Sequence, residues 1–209
     1  MSLNEFLYFI KSLTLTKENL MNKIFIAAIF LLVIAFTMNV IAQDAMYVGA
    51  AKCKICHGKK TGDQYGIWEK GPHANALKSL SSEAALKYAK EKDIEEPAKN
   101  DQCLNCHATI KTVDPKLLDP KSKMTLEEGV SCESCHGPGS EYKSPKIMKK
   151  SAYDEDYAAA HKAALDAGLV EPTEKVCVTC HNEKNPFHKE FKFKEMAAKI
   201  AHPNPERKK

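Results

Sequence analysis

The chain has 209 residues, enough for one or two domains, and its 31 basic and 27 acidic side chains leave a formal charge of +4. So small an excess makes no case for a nucleic-acid partner. What sets the composition apart is a set of 8 cysteines and 8 histidines.

In chain order, the first feature is an address. Met21-Asn22-Lys23 is a short positive start, residues 24–37 are apolar, and Val40-Ile41-Ala42 puts a small residue just before Gln43. This is the pattern of an export signal peptide over 21–42. A start at Met21 would make residues 1–20 a non-native or extended leader, and 43–209 would be a single extracytoplasmic domain. The alternative is that residues 24–42, nearly the ~20 needed to span a bilayer, stay as a membrane anchor. Asn39 and the cleavage-like end argue against it, and membrane contact is expected only in that case.

Residues 47–60 then carry Cys53-Lys-Ile-Cys56-His57. Residues 63–80 read as a broken helix interrupted at Gly71-Pro72, with Pro72 in the first turn of the second piece. In that piece His73, Ala76, Leu77 and Leu80 share a stripe at i, i+3, i+4 and i+7. Residues 82–93 predict a helix capped at Ser81 or Ser82. A polar link over 95–102 leads into Cys103-Leu-Asn-Cys106-His107. Residues 112–123, with Pro115 and Pro120, predict a loop. Thr125-Leu-Glu-Glu128 has the form of a helix cap ahead of Cys132-Glu-Ser-Cys135-His136. A lysine-rich loop follows, then a helix over 153–167 stopped by Gly168, with Tyr157, His161, Ala164 and Leu165 on one face. Cys177-Val-Thr-Cys180-His181 comes after Pro172. Phe193, Met196, Ala197 and Ile200 mark a last amphipathic helix, ended by Pro203 near His202.

Four Cys-x-x-Cys-His motifs use every cysteine. Zinc sites, thioredoxin-like pairs and disulfide frameworks also use paired cysteines, but none requires a histidine after each second one. Covalent attachment of haem c does. Two thiols two residues apart form thioethers to one porphyrin edge, and the adjoining histidine is held under the iron. Four covalently attached haems are therefore expected, on Cys53 and Cys56, Cys103 and Cys106, Cys132 and Cys135, and Cys177 and Cys180. Their proximal ligands are His57, His107, His136 and His181. Residues 1–42 hold three lysines and two acids, so the remainder carries +3. Haem propionates would change this by about −4 oxidised and −8 reduced. About 40 residues per haem cannot build a conventional core around each one, so the haems must supply the interior.

His73, His161, His188 and His202 are the histidines outside the motifs. They equal the irons in number, which permits but does not require bis-histidine ligation. Met124, Met148 and Met196 are alternative sulfur ligands, with packing their ordinary role. Tyr142 would be a tyrosinate ligand only in place of an ordinary loop role.

The four motifs, the CESCHGPG run at 132–139, His161-Lys-Ala and the carboxy-terminal FKFKEMAAKIAH over 191–202 resemble the tetrahaem cytochrome c554 family. The resemblance covers nearly all of 43–209. It implies a mainly α multihaem fold, with short helices and long loops wrapped around the haems and little or no sheet. It pairs His57 with His161, His136 with His202 and His181 with His73, and leaves the His107 haem without a distal protein ligand. The segment between His136 and His161 is longer than in the family, and His188 has no family role. His188 could close the His107 haem or lie in a surface loop. The function implied is periplasmic electron transfer in nitrogen metabolism, from a multihaem, hydroxylamine oxidoreductase-like donor to a small cytochrome or quinone-linked acceptor. An alternative is reduction of nitric oxide or another small N-oxide at an open His107 haem; no acid–base pair in the sequence supports it.

Overall fold

The computed structural model describes residues 44–203. The expected leader over 1–20 and the signal or anchor segment over 21–42 lie outside the described residues. Ten α-helices and five 3-10 turns occur among the described residues, with no strand; a single isolated bridge joins Tyr47 to Leu118. The fold is mainly α, as expected. No described helix is long and apolar enough to cross a membrane.

Helices α1 (Ala50–Lys54), α2 (Gln64–Lys70) and α3 (Ala76–Ser79) come first. Gly71 and Pro72 break the chain between α2 and α3, but the second helix begins later than expected, and His73 lies in the turn before it. Tertiary bonds override the periodicity. Val130 N–H donates to the His73 carbonyl at 2.9 Å, and the Asn75 side-chain amide donates to the carbonyls of Gly71 (2.8 Å) and Glu69 (3.3 Å). Gly129 makes that approach possible. It has φ 60°, and a Cβ there would stand 2.7 Å from the His73 carbonyl oxygen, so no larger residue fits without displacement.

Helix α4 (Glu83–Glu91) starts at Ser82, whose hydroxyl accepts from Ala85 N–H at 3.3 Å. The polar link after it is partly helical, with a 3-10 turn at Pro97–Lys99. Helix α5 (Asp101–His107) is capped by Asn100. The expected loop over 112–123 holds one further 3-10 turn, Pro115–Leu117. At Leu126–Glu128 the expected cap becomes a 3-10 turn, because Glu128 bonds Ala50 N–H at 3.1 Å rather than its own helix start.

Helix α6 (Cys132–His136) is followed by α7 (Lys150–Glu155) and α8 (Tyr157–Asp166). The single helix expected over 153–167 is thus two. Asp156 turns extended between them, and its carboxylate accepts from Ala159 N–H at 3.0 Å, starting α8 afresh. Gly168, at φ 94°, does end that helix. Helices α9 (Glu174–Cys177) and α10 (Phe193–Ile200) complete the order.

The apolar interior is slight. Ten buried hydrophobic residues are found among the described residues, five of them alanine. Leu80, Leu104 and Ala108 form one cluster beside the second motif. Val48, Ala50, Met124 and Tyr142 are also buried. The side chains therefore leave most of the interior to be supplied by something else.

Candidate haem centre

Each attachment motif lies on one helical turn. In the first, the N–H groups of Cys56 and His57 both donate to the Cys53 carbonyl, at 3.2 and 2.9 Å. In the fourth, those of Cys180 and His181 donate to the Cys177 carbonyl, at 3.2 and 3.0 Å. The second and third motifs end α5 and fill α6. A helical turn puts residues i and i+3 on one side, so both thiols of a pair can address the same edge of a ligand.

Two pairs of histidine rings face one another across the fold. The centroids of His73 and His181 are 6.0 Å apart, and those of His136 and His202 are 6.1 Å apart. Two metal–imidazole bonds of about 2 Å each, plus the half-width of each ring, demand about this separation. The spacing therefore fits an iron between the rings as well as it fits direct edge-to-face contact. Burial lowers the pKa of His73, His181 and His136, favouring the neutral imidazole that a metal ligand must be. His57 is shifted the same way by burial.

Backbone carbonyls orient two of the rings. His202 Nδ1 lies 2.8 Å from the Ile200 carbonyl. His107 Nδ1 lies 2.7 Å from the Ala76 carbonyl and 3.2 Å from the Ser79 hydroxyl. Such bonds hold Nδ1 as the donor and leave Nε2 as the ligating nitrogen. His202 stands just beyond the end of α10, so ring contact fixes its aim where periodicity could not.

The motifs also meet in pairs. The Cys53 and Cys132 thiols are electrostatic neighbours, bringing the first site against the third. Cys106 and Cys180 do the same for the second and fourth. Burial pushes the Cys106 and Cys135 thiols up to about 11.

The remaining sequence candidates are placed differently. His161 stacks on Tyr157, with centroids 5.3 Å apart, and its Nε2 lies 3.4 Å from a Glu171 oxygen. No ring contact among the described residues joins it to His57. His188 is exposed in the loop after the fourth motif, close enough to bear electrostatically on His181. Met124 is buried as packing. The sulfurs of Met148 and Met196 accept from Tyr153 and Lys199 at 3.7 and 3.9 Å. Tyr142 donates its hydroxyl to the Gly137 carbonyl at 2.9 Å, and burial pushes its pKa well up, so it is a neutral donor and not a tyrosinate.

Sequence reasoning passed over Glu133. It lies inside the third motif, only 1% exposed, and takes hydrogen bonds from Val48, Gly49 and Gly139 N–H. Burial pushes its carboxyl up, and those three donors pull against that shift. Nothing local marks it, since a glutamate between two cysteines reads as a solvated spacer.

The residues present fit haem c: paired thiols on single helical turns, imidazoles at iron-spanning separation and a thin apolar interior. Residues 52–137 match the family model described as "Cytochrome c554 and c-prime". That stretch holds the first three motifs and His73. The chain is also 31% identical over 150 residues to "Cytochrome c-554" of Nitrosomonas europaea. The chain belongs to the cytochrome c554 family. The match takes in 68% of this chain and spans 60% of the length of that relative. No solved structure matches the chain. Membership of a c-type cytochrome family implies covalently bound haem c, and the fourth motif, beyond the family-model match, repeats the geometry of the first.

Proposed function

We propose that the chain is an extracytoplasmic tetrahaem cytochrome that transfers electrons between redox proteins. Two histidine pairs 6.0 and 6.1 Å apart, each with one member at the end of an attachment motif, are the observation that carries this reading. Bound at such sites, haem iron supplies reversible one-electron chemistry. The polypeptide's part is to hold, orient and insulate. The four cysteine pairs fasten the porphyrins, and His57, His107, His136 and His181 are the proximal ligands. His73 and His202 would supply the second imidazole to the irons held by His181 and His136. With an imidazole on each side, iron held at these two sites would exchange electrons with little rearrangement and would leave no place for a substrate.

The pairing of His57 with His161 rests on the resemblance alone; Glu171 would have to yield the His161 Nε2 atom. His107 is oriented by Ala76 and Ser79, with no distal histidine assigned. The contacts between Cys53 and Cys132, and between Cys106 and Cys180, support transfer within pairs of neighbouring haems. The partners proposed are a multihaem oxidoreductase as donor and a small cytochrome or quinone-linked protein as acceptor. The leader over 21–42 puts them outside the cytoplasm.

The test is to produce the chain in a host with cytochrome c maturation machinery and count haem by the alkaline pyridine spectrum. Four haems per chain are expected, with low-spin ferric signals dominating the low-temperature electron paramagnetic resonance spectrum. A colourless chain with eight free thiols or bound zinc overturns the proposal.

A further inference from the structure

Glu133 is built into the structure more firmly than any other acid described. Its position between Cys132 and Cys135 makes its backbone part of the third attachment turn. Its carboxylate reaches out of that turn to the segment leading into the first one. Val48 N–H donates to Oε1 at 2.9 Å and to Oε2 at 3.1 Å, and Gly49 N–H donates to Oε2 at 2.8 Å. Gly49 immediately precedes α1, the helix that bears Cys53. On the other side Gly139 N–H donates to Oε1 at 2.7 Å, closing the carboxylate into its own loop. Each of these bonds is donated to the carboxylate, the pattern that suits an ionised group.

The neighbourhood reinforces the link without replacing it. Glu128 accepts from Ala50 N–H at 3.1 Å, and the Ser140 hydroxyl accepts from Met46 N–H at 2.8 Å. The amides of Met46, Val48, Gly49 and Ala50 are thereby bonded to side chains of residues 128–140. A Cβ on Gly139 would stand 3.1 Å from Glu133 Oε1, so the space around the carboxylate is closed. The second and fourth motifs have no comparable carboxylate between them. Beside them the Tyr88 and Phe187 rings meet edge to face, 5.7 Å apart.

We propose that Glu133 is a positioning residue: its buried carboxylate fixes the first attachment segment to the third, and so sets the electronic coupling and the potentials of the two haems they hold. This rests on the haem reading given above. A carboxylate locked between two such sites acts in a low-dielectric setting, where its charge favours the oxidised, more positive iron at both. Removing the charge should raise two potentials and leave the other two in place. Removing the bonds should loosen one haem pair and leave the other intact.

The test uses the full chain, matured with haem, as wild type, Glu133→Gln and Glu133→Asp. Haem content comes first: a wild type without haem overturns the functional reading itself, whereas wild type and variants with equal haem leave the clamp to be judged alone. Spectropotentiometric titration of Glu133→Gln should then show two of the four components moved to higher potential, with the paired-spin features of one haem pair altered. Glu133→Asp, which keeps the charge on a shorter stem, should restore part of the potential shift. Four unmoved components and an unchanged resonance spectrum overturn the proposal. If Glu133→Gln does not mature, amide hydrogen exchange on the wild type decides. Val48, Gly49 and Gly139 should exchange together and slowly; exchange at the rate of exposed loop amides overturns it.

Discussion

The side chain of His73 shows how much chemistry depends on one residue's surroundings. It lies in a turn, its carbonyl holds Val130, and its ring faces His181 at 6.0 Å. Replacing it with alanine should turn one haem from low to high spin, seen as a new high-spin ferric resonance with haem content unchanged. His202→Ala should do the same at a different haem, because its ring faces His136. Acid should act on both sites together. Burial holds the folded pKa of His73 and His136 below the ordinary 6.5. Between those lowered values and 6.5 the unfolded chain binds more protons, so stability rises with pH there and is lost as pH falls toward the folded values. Iron ligation pushes the same way. An acid titration followed by absorbance should therefore convert low-spin bands to high-spin ones and reverse on neutralisation; bands that persist into strong acid would contradict this. The four Cys-x-x-Cys-His motifs could be read directly, because their pattern is local and repeated. Glu133 could not, since its partner Val48 is 85 residues away.

Among the elements, the informative departures lie where a distant bond outcompetes local periodicity. A stripe containing His73, Ala76, Leu77 and Leu80 predicts a helix through His73, and Val130 and Asn75 hold that residue in a turn instead. The composition over 153–167 predicts one helix, and Asp156 divides it by capping the second half. Asp156→Ala should cost about 1 kcal/mol, read as a lower denaturant midpoint at unchanged slope. Gly129→Ala should cost more. Its φ of 60° is strained for alanine, and the new methyl would press on the His73 and Ala74 carbonyls. The expected outcome is lost stability together with a partial high-spin signal, as the displaced turn draws His73 from its site. A stability loss with an unchanged spectrum would mean that the turn does not govern the ring. Ser82 and Gly168 lie where sequence signals put them, because caps and stops are made within a few residues of where they are written.

For the whole molecule the decisive quantity is how little the polypeptide buries by itself. Ten buried hydrophobics, half of them alanine, cannot offset the conformational entropy of the described residues. If each haem buries on the order of 500 Å² of apolar surface, the transfer term is about 12 kcal/mol apiece. Chain produced without maturation machinery should therefore show no cooperative thermal transition by circular dichroism, while the haem-loaded protein should unfold sharply. A folded, cooperative haem-free chain would show that the side chains suffice. A mainly α architecture with little sheet was legible from the resemblance and from the short helical segments between glycines and prolines. The apposition of first with third site, and second with fourth, was not. It is fixed by contacts between residues far apart in sequence, which no window of composition can register.

Tyr47 donates its N–H to the Leu117 carbonyl at 2.7 Å and receives Asp119 N–H at 3.0 Å, so the opening stretch is stitched to residues from the middle of the chain. A polypeptide emerging from its amino end presents that stretch well before its anchoring points. On the haem reading, Cys53 and Cys56 would then be offered for attachment before the segment ahead of them is stitched in place.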